Sequence, residues 1–451
     1  MKWAIIAAAS AVMVALLGVA AYLVHTRRPS ILEVAAFGHL RTYPAWWRPK
    51  GFVYLFSGER GWSAVDEQTA RDLARSGNLV FGVDAPEFLQ VQNRLDGCIY
   101  LPGILEDYSR PWQHSADMAQ YLAPAVLGSD IGATLAYEAQ VQAPPTAFSA
   151  VVAVDPVSAV SMRRPFCEHP AAAMTSSEQT IKSEPPGRNV PLRIVLDSSA
   201  SKAARQFASS IPGQTPTTVK TAQPRYRSYR QALEDIHTQM QKSGIADLPL
   251  AIVPASQSGC ANGFAVLYSG DGGWRDLDRS LADILASKGM SVIGVDVLRY
   301  YWKDKSPDVA ARDLTRMIRY YGEQWHCHKV ALIGFSFGAD ILPFVASRTP
   351  PDVRSELVLM TLLSPERSTA FEIEMNGWLG GKPKAGVPIG PEVRKLDGLK
   401  VQCVYGRDES ADSLCTDSSA GPLTVLAKSG GHHFDQDYNE LADDILAALP
   451  K

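Results

Sequence analysis

The stretch GFVYLFSGERGW (51–62) returns 212 positions later as GFAVLYSGDGGW (263–274), and VFGVDAPEFL (80–89) returns at the same spacing as VIGVDVLRYY (292–301). This repeat constrains the fold more than any other feature, because similar segments bury similar faces and so form similar units. At 451 residues the chain also outgrows a single ordinary core. Each half alternates short apolar runs with amphipathic stretches, an order that predicts two tandem α/β domains, each a mostly parallel sheet with helices on both faces. The first spans 31–237 and the second 261–451, and the polar stretch 238–260, which contains PASQSG, reads as the connection. Residues 168–189, rich in Ser, Pro and charge, read as a surface excursion within the first domain.

In the second half strands are expected over about 263–269, 291–296, 329–334, 355–363, 400–405 and 423–427. Between the second and third, residues 306–325 read as a helix with Ser306 as cap and Pro307 at its first position. Val309, Leu314, Met317, Ile318 and Tyr321 fall largely on one face of it, and a last helix is expected over about 435–449.

The net charge of −3, from 44 basic and 47 acidic residues without a basic stripe, excludes nucleic acid as a partner. Residues 3–24 carry no charge, and a run of about 20 apolar residues can cross a bilayer as a helix. Gly18-Val19-Ala20 has the small residues of a cleavage site, so 1–28 reads as a signal anchor or a cleaved signal peptide. Either reads as the mark of an envelope protein facing an oxidising compartment, where six cysteines suggest disulfides. Cys98 and Cys167 are the pair of the first half. Among the other four, Cys403–Cys415 is favoured because the two flank the loop VYGRDESADSL, which leaves Cys260 for Cys327.

The chemistry concentrates in the second half. VALIGFSFGADILPF (330–344) runs from strand through Gly-Phe-Ser336-Phe-Gly into helix. The two glycines allow a sharp turn that lifts the Ser336 hydroxyl above the sheet, with the Phe337 N–H beside it at a helix N-terminus. A serine attacks at neutral pH only if a base takes its proton and donors stabilise the oxyanion. The acid should follow the strand LKVQCVYG, where Gly-x-x-acid spacing picks Glu409, with Asp408 and Asp412 as alternatives. The base should lie in SGGHHFDQDY (429–438), where His-x-Phe spacing favours His432 over His433. SGDGGW (269–274) should supply the second oxyanion donor, from Asp271 or Gly272, and the Asp271 carboxylate could face a cationic substrate group. No Cys or carboxylate stands at metal-ligand spacing from the double histidine, so neither metal nor other cofactor is expected.

The first half repeats the turn as AVLGSDIGATLAYEA (125–139), with Asp130 at the serine position. The segment matching the histidine loop (220–236) has no histidine before His237, which falls inside a helical pattern. The first domain therefore reads as a degenerate copy without nucleophile or base.

Together YSGDGGW, GFSFGAD, YGRDESADSLC and GGHHFDQDY resemble the bacterial virulence proteins of the VirJ/AcvB type, and the two-half layout resembles the long AcvB-like form. The resemblance covers most of 31–451 and is more specific in the second half. It implies two α/β-hydrolase-like domains and a periplasmic serine esterase that removes the lysyl or alanyl group from aminoacyl-phosphatidylglycerol at the membrane surface. Secretion-system proteins are implied as partners of the short form. The alternative is a periplasmic binding or scaffold protein that assists type IV secretion and uses the hydrolase fold only as a framework.

Overall fold

The structure, a computed structural model, describes residues 28–45, 49–115, 118, 120–144, 146–167, 174–175, 178–183, 190–219, 225–240, 245, 247–256, 259–371 and 386–450. The apolar segment 3–24 and most of the excursion 168–189 lie outside them. Two compact units result: one of residues 1–115, 122–143 and 147–238, the other of 239–451 with the short pieces 116–121 and 144–146.

The first unit is built on eight strands, β1 (Ser30–Val34), β2 (Gly38–Tyr43), β3 (Gly51–Phe56), β4 (Asn78–Val83), β5 (Pro124–Ser129), β6 (Ala150–Val154), β7 (Leu192–Asp197) and β8 (Thr217–Val219), in the order β1-β2-β4-β3-β5-β6-β7-β8. β1 and β2 are an antiparallel edge, and all pairs from β4 to β8 are parallel. The second unit has seven, β9 (Leu250–Val253), β10 (Phe264–Tyr268), β11 (Ser291–Val295), β12 (Val330–Phe335), β13 (Leu357–Leu363), β14 (Val401–Gly406) and β15 (Thr424–Lys428), in the order β9-β11-β10-β12-β13-β14-β15. Only β9 is antiparallel. With β9 set aside, the second sheet repeats the order of the first from β4 onward. These are tandem α/β domains.

Every residue of β10 and β12 is buried, because both faces of the sheet are covered. Alternate residues serve opposite faces. Val266 and Leu332 pack with Leu314 and Ile318 of the helix Pro307–Trp325. Leu267 and Ile333 pack with Leu281 and Leu285 of the helix Asp276–Ser287 and with Ile445 of the helix Tyr438–Ala448. Ser306 caps Pro307–Trp325 by accepting from the Val309 N–H, with Pro307 in the first turn. The last helix starts three residues later than its sequence pattern suggests, after a short 3₁₀ turn at Phe434–Gln436.

The repeated Gly-Trp and Gly-Val-Asp elements form one lock in both units. A Cβ on Gly294 would lie 2.2 Å from the Trp274 ring, and one on Gly82 2.2 Å from the Trp62 ring, so the indole lies directly on the neighbouring strand where only glycine leaves room. All three expected disulfides are present: Cys98–Cys167, Cys260–Cys327 and Cys403–Cys415, with Cα separations of 4.7, 5.4 and 5.4 Å.

The connection over 238–260 carries regular structure of its own. The helix Arg225–Met240 runs into that stretch, and Leu250–Val253 is the edge strand β9, paired with β11. Ala251 and Val253 point into the core, so this short segment gains burial that its polar surroundings conceal.

Candidate active site

Ser336 lies between β12 and the helix Phe337–Ala346 with φ 52° and ψ −124°, backbone angles that a residue with a Cβ rarely adopts. Such a turn costs on the order of 1–3 kcal/mol and persists only where its surroundings impose it. Two glycines do so here. A Cβ on Gly334 would lie 2.6 Å from the Gly338 carbonyl oxygen, and one on Gly338 2.3 Å from the Tyr268 carbonyl oxygen. The helix is thereby pressed onto β10 and β12. Ser336 makes no side-chain cap to that helix, so its hydroxyl does not serve as the capping group that such a turn could otherwise use. Phe337 heads the helix, where a backbone N–H has no intrahelical acceptor.

Glu409 and His432 come together. The His432 Nδ1 lies 3.0 and 3.1 Å from the two Glu409 carboxylate oxygens, with the side chains 38% and 36% exposed. Glu409 belongs to a 3₁₀ turn at Arg407–Glu409, directly after β14. A Cβ on Gly406 would lie 2.2 Å from the Gly431 carbonyl oxygen, so the acid and histidine loops touch through a glycine. Phe335, the residue before Ser336, packs on His432 and His433 with ring centroids 5.1 and 5.5 Å away. This contact brings the histidine loop beside the serine turn. His433 is the more exposed of the two. Asp408 and Asp412 are exposed, and neither is paired with a histidine among the described residues.

The loop after β10 lies beside the turn: a Cβ on Gly270 would be 3.6 Å from the Ser336 Cβ. The buried Ser269 hydroxyl anchors this loop, accepting from the Val297 N–H at 3.0 Å and donating to the Gly270 carbonyl at 3.1 Å. Asp271 and Gly272 are exposed at its tip. Sequence reasoning missed Glu366, which follows β13. Burial pushes its carboxyl up; His432 opposes that push, while Asp271, Asp412 and Glu409 add to it. Nothing in the sequence around Glu366 marks it, because its neighbours come from three separate segments.

The first unit keeps this backbone without the chemistry. Asp130 has φ 57° and ψ −124° and, like Ser336, no cap hydrogen bond. Gly128 and Gly132 are as confined as Gly334 and Gly338. Where the second unit has Glu409, the first has Ala200 at the corresponding place after β7. The Asp130 carboxylate accepts from the Glu59 backbone N–H at 3.5 Å. Glu59 is the repeat partner of Asp271, so the N–H expected to face the oxyanion in one unit faces a carboxylate in the other. The segment 220–224, part of the missing histidine loop, lies outside the described residues, and His237 falls inside the helix Arg225–Met240.

The sheet order, the crossover helices and the strained strand-helix turn define the second unit as an α/β-hydrolase type domain. Residues 262–451, which make up most of this unit, match the family model described as bacterial virulence protein (VirJ). No curated protein matches the chain. Solved structures similar to it include Est1E from Butyrivibrio proteoclasticus (TM-score 0.35, 13% identity, 44% of this chain and 91% of that one). Others are the proline iminopeptidase of Mycobacterium smegmatis (0.32, 10%, 44% and 94%) and an alpha-beta serine hydrolase homologue from Coxiella burnetii (0.32, 15%, 45% and 91%). No conclusion about activity rests on likenesses this distant.

Proposed function

We propose that the protein is a periplasmic serine esterase that hydrolyses the aminoacyl ester of aminoacyl-phosphatidylglycerol. The observation that carries this reading is the His432–Glu409 pair, with His432 packed on Phe335 next to the strained Ser336 turn. In the proposed reaction the Ser336 oxygen attacks the ester carbonyl while His432 Nε2 takes its proton. Glu409 accepts from the Nδ1–H and holds the imidazole in the tautomer that leaves Nε2 free. The N–H groups of Phe337 and Asp271 stabilise the oxyanion, and the Asp130 carboxylate bound to the equivalent Glu59 N–H supports the choice of Asp271 over Gly272. His432 returns the proton to the leaving lipid hydroxyl, and water then releases the amino acid from the serine. The carboxyls of Asp271, Glu366 and Asp412 around the site suit a substrate with a cationic amine. The three disulfides fit folding in an oxidising compartment.

A second reading, a scaffold or binding protein for secretion partners, draws support from the first unit, which keeps a full sheet while Asp130 replaces the serine. The test is release of free amino acid from vesicles containing lysyl- or alanyl-phosphatidylglycerol, followed by mass spectrometry. Ser336→Ala and His432→Ala should each lower turnover by several orders of magnitude, with His433→Ala much milder. Unchanged turnover in Ser336→Ala sinks the serine mechanism, and a cellular phenotype that survives this substitution favours the scaffold.

A further inference from the structure

The segment Leu363–Arg367, which leaves the end of β13, touches three parts of the proposed machinery. The Leu363 carbonyl accepts from the Ser336 N–H at 2.9 Å. The Ser364 hydroxyl donates to the His432 carbonyl at 3.4 Å, from a backbone with φ 48°. The Pro365 carbonyl accepts from the Leu414 N–H at 3.0 Å, and Glu366 forms an antiparallel bridge with Ser413. The Arg367 guanidinium donates to the Ser413 carbonyl and the Thr416 hydroxyl at 3.4 and 3.3 Å. Nucleophile turn, histidine loop and acid loop are thus each bonded to one five-residue strap.

One side chain fastens that strap to the nucleophile helix. The Asp340 carboxylate, on the first turn after Ser336, accepts from the Glu366 N–H at 2.8 Å and is 5% exposed. We infer that Asp340 is a positioning residue, which registers Ser336 against His432 and Glu409 by clamping the strap at Glu366. This rests on the esterase reading and adds a residue to it.

The first unit supplies an internal control. Thr134 stands in the place of Asp340, and its hydroxyl accepts from the Val157 N–H at 3.0 Å and donates to the Val157 carbonyl at 2.7 Å. Val157 stands in the place of Glu366. The clamp is therefore a feature of both units, and a neutral hydroxyl of threonine size can make it. Burial pushes the Asp340 carboxyl well above the usual range, with the Glu366 N–H working against that push.

This predicts a rescue. Asp340→Thr restores an acceptor for the Glu366 N–H, whereas Asp340→Val has the same shape without one. In the full chain, with a soluble 4-nitrophenyl ester, Asp340→Val should lower kcat by about 10- to 100-fold with KM within about twofold, since a misplacement near 1 Å costs up to about 10²-fold. Asp340→Thr should stay within about threefold of wild type. Hydrogen exchange should show protection at 363–367 and 413–416 lost in the valine variant and kept in the threonine variant. Equal kcat for all three proteins, or equal losses in both variants, overturns the inference. Absent turnover in wild type sinks the esterase reading instead, and the exchange comparison then decides on the clamp alone: equal protection in both variants overturns it.

Discussion

The Cys403–Cys415 bridge is the shortest-range of the three, with a sequence separation of 12, and the loop it closes carries Glu409. In the chain-entropy account, closing a loop of that length removes about 3 kcal/mol of freedom from the unfolded chain. Both sulfurs are buried, Cys403 on β14 and Cys415 in the 3₁₀ turn Leu414–Thr416, so alanine at both positions also leaves a small cavity whose cost adds to that figure. The double variant Cys403→Ala/Cys415→Ala should therefore lose about 3 kcal/mol or more in urea unfolding of the second unit. It is a cleaner perturbation than a reductant, which would open all three bridges. Activity should fall further than the folded fraction does. Among the described residues the loop then keeps the Asp408–Gly430 backbone bond, the contacts of Ser413 and Leu414 with the strap and the Arg367–Thr416 hydrogen bond, and none of these holds the Glu409 side chain against His432. The upper bound is the loss of the triad acid, about 10⁴-fold in kcat. Turnover of a soluble ester should be followed alongside tryptophan fluorescence through the urea transition. An unchanged unfolding free energy, or turnover that tracks the folded fraction throughout, would refute the reasoning.

Two further perturbations follow from buried contacts. Gly294→Ala forces a methyl group into the Trp274 ring, which is 2% exposed, and should cost about 1–3 kcal/mol or more; Gly82→Ala should cost less because Trp62 is half-buried and can shift. Calorimetry that ranks them the other way would show that Trp62 is held more tightly than Trp274. Asp340 binds a proton in the folded state that its unfolded form releases near pH 4, so its contribution to stability is full below that value and is lost as pH rises towards its raised folded value. The slope is at most about 1.4 kcal/mol per pH unit. Asp340→Asn keeps an acceptor for Glu366 and should flatten that decline in urea midpoints; an unaltered pH profile would mean that the carboxyl titrates normally.

The repeat made the two sheets legible, since matching segments carry the same strands and the same Trp-Gly lock. The turn at Ser336 was legible because its two glycines are adjacent in sequence to what they confine. Glu409 emerged from local spacing as well, three residues after Gly406. Asp340, Glu366 and the strap were not legible: their partners lie 26 to 68 positions away, and nothing in GFSFGAD marks the aspartate as an anchor rather than a surface residue. The edge strand β9 escaped for a different reason. Four residues are too few to show a period, and only pairing with β11 makes them a strand.

The Asp130 carboxylate has a consequence for counting sites. Strain at a serine-type turn is retained at Asp130 although no nucleophile stands there, so the positive φ belongs to the corner of the sheet and not to the chemistry. With the Asp130 carboxylate on the Glu59 N–H, this turn of the first unit presents to an electrophile a carboxylate in place of a serine hydroxyl. An excess of fluorophosphonate should then add to each chain once rather than twice, with the adduct on the peptide that contains Ser336.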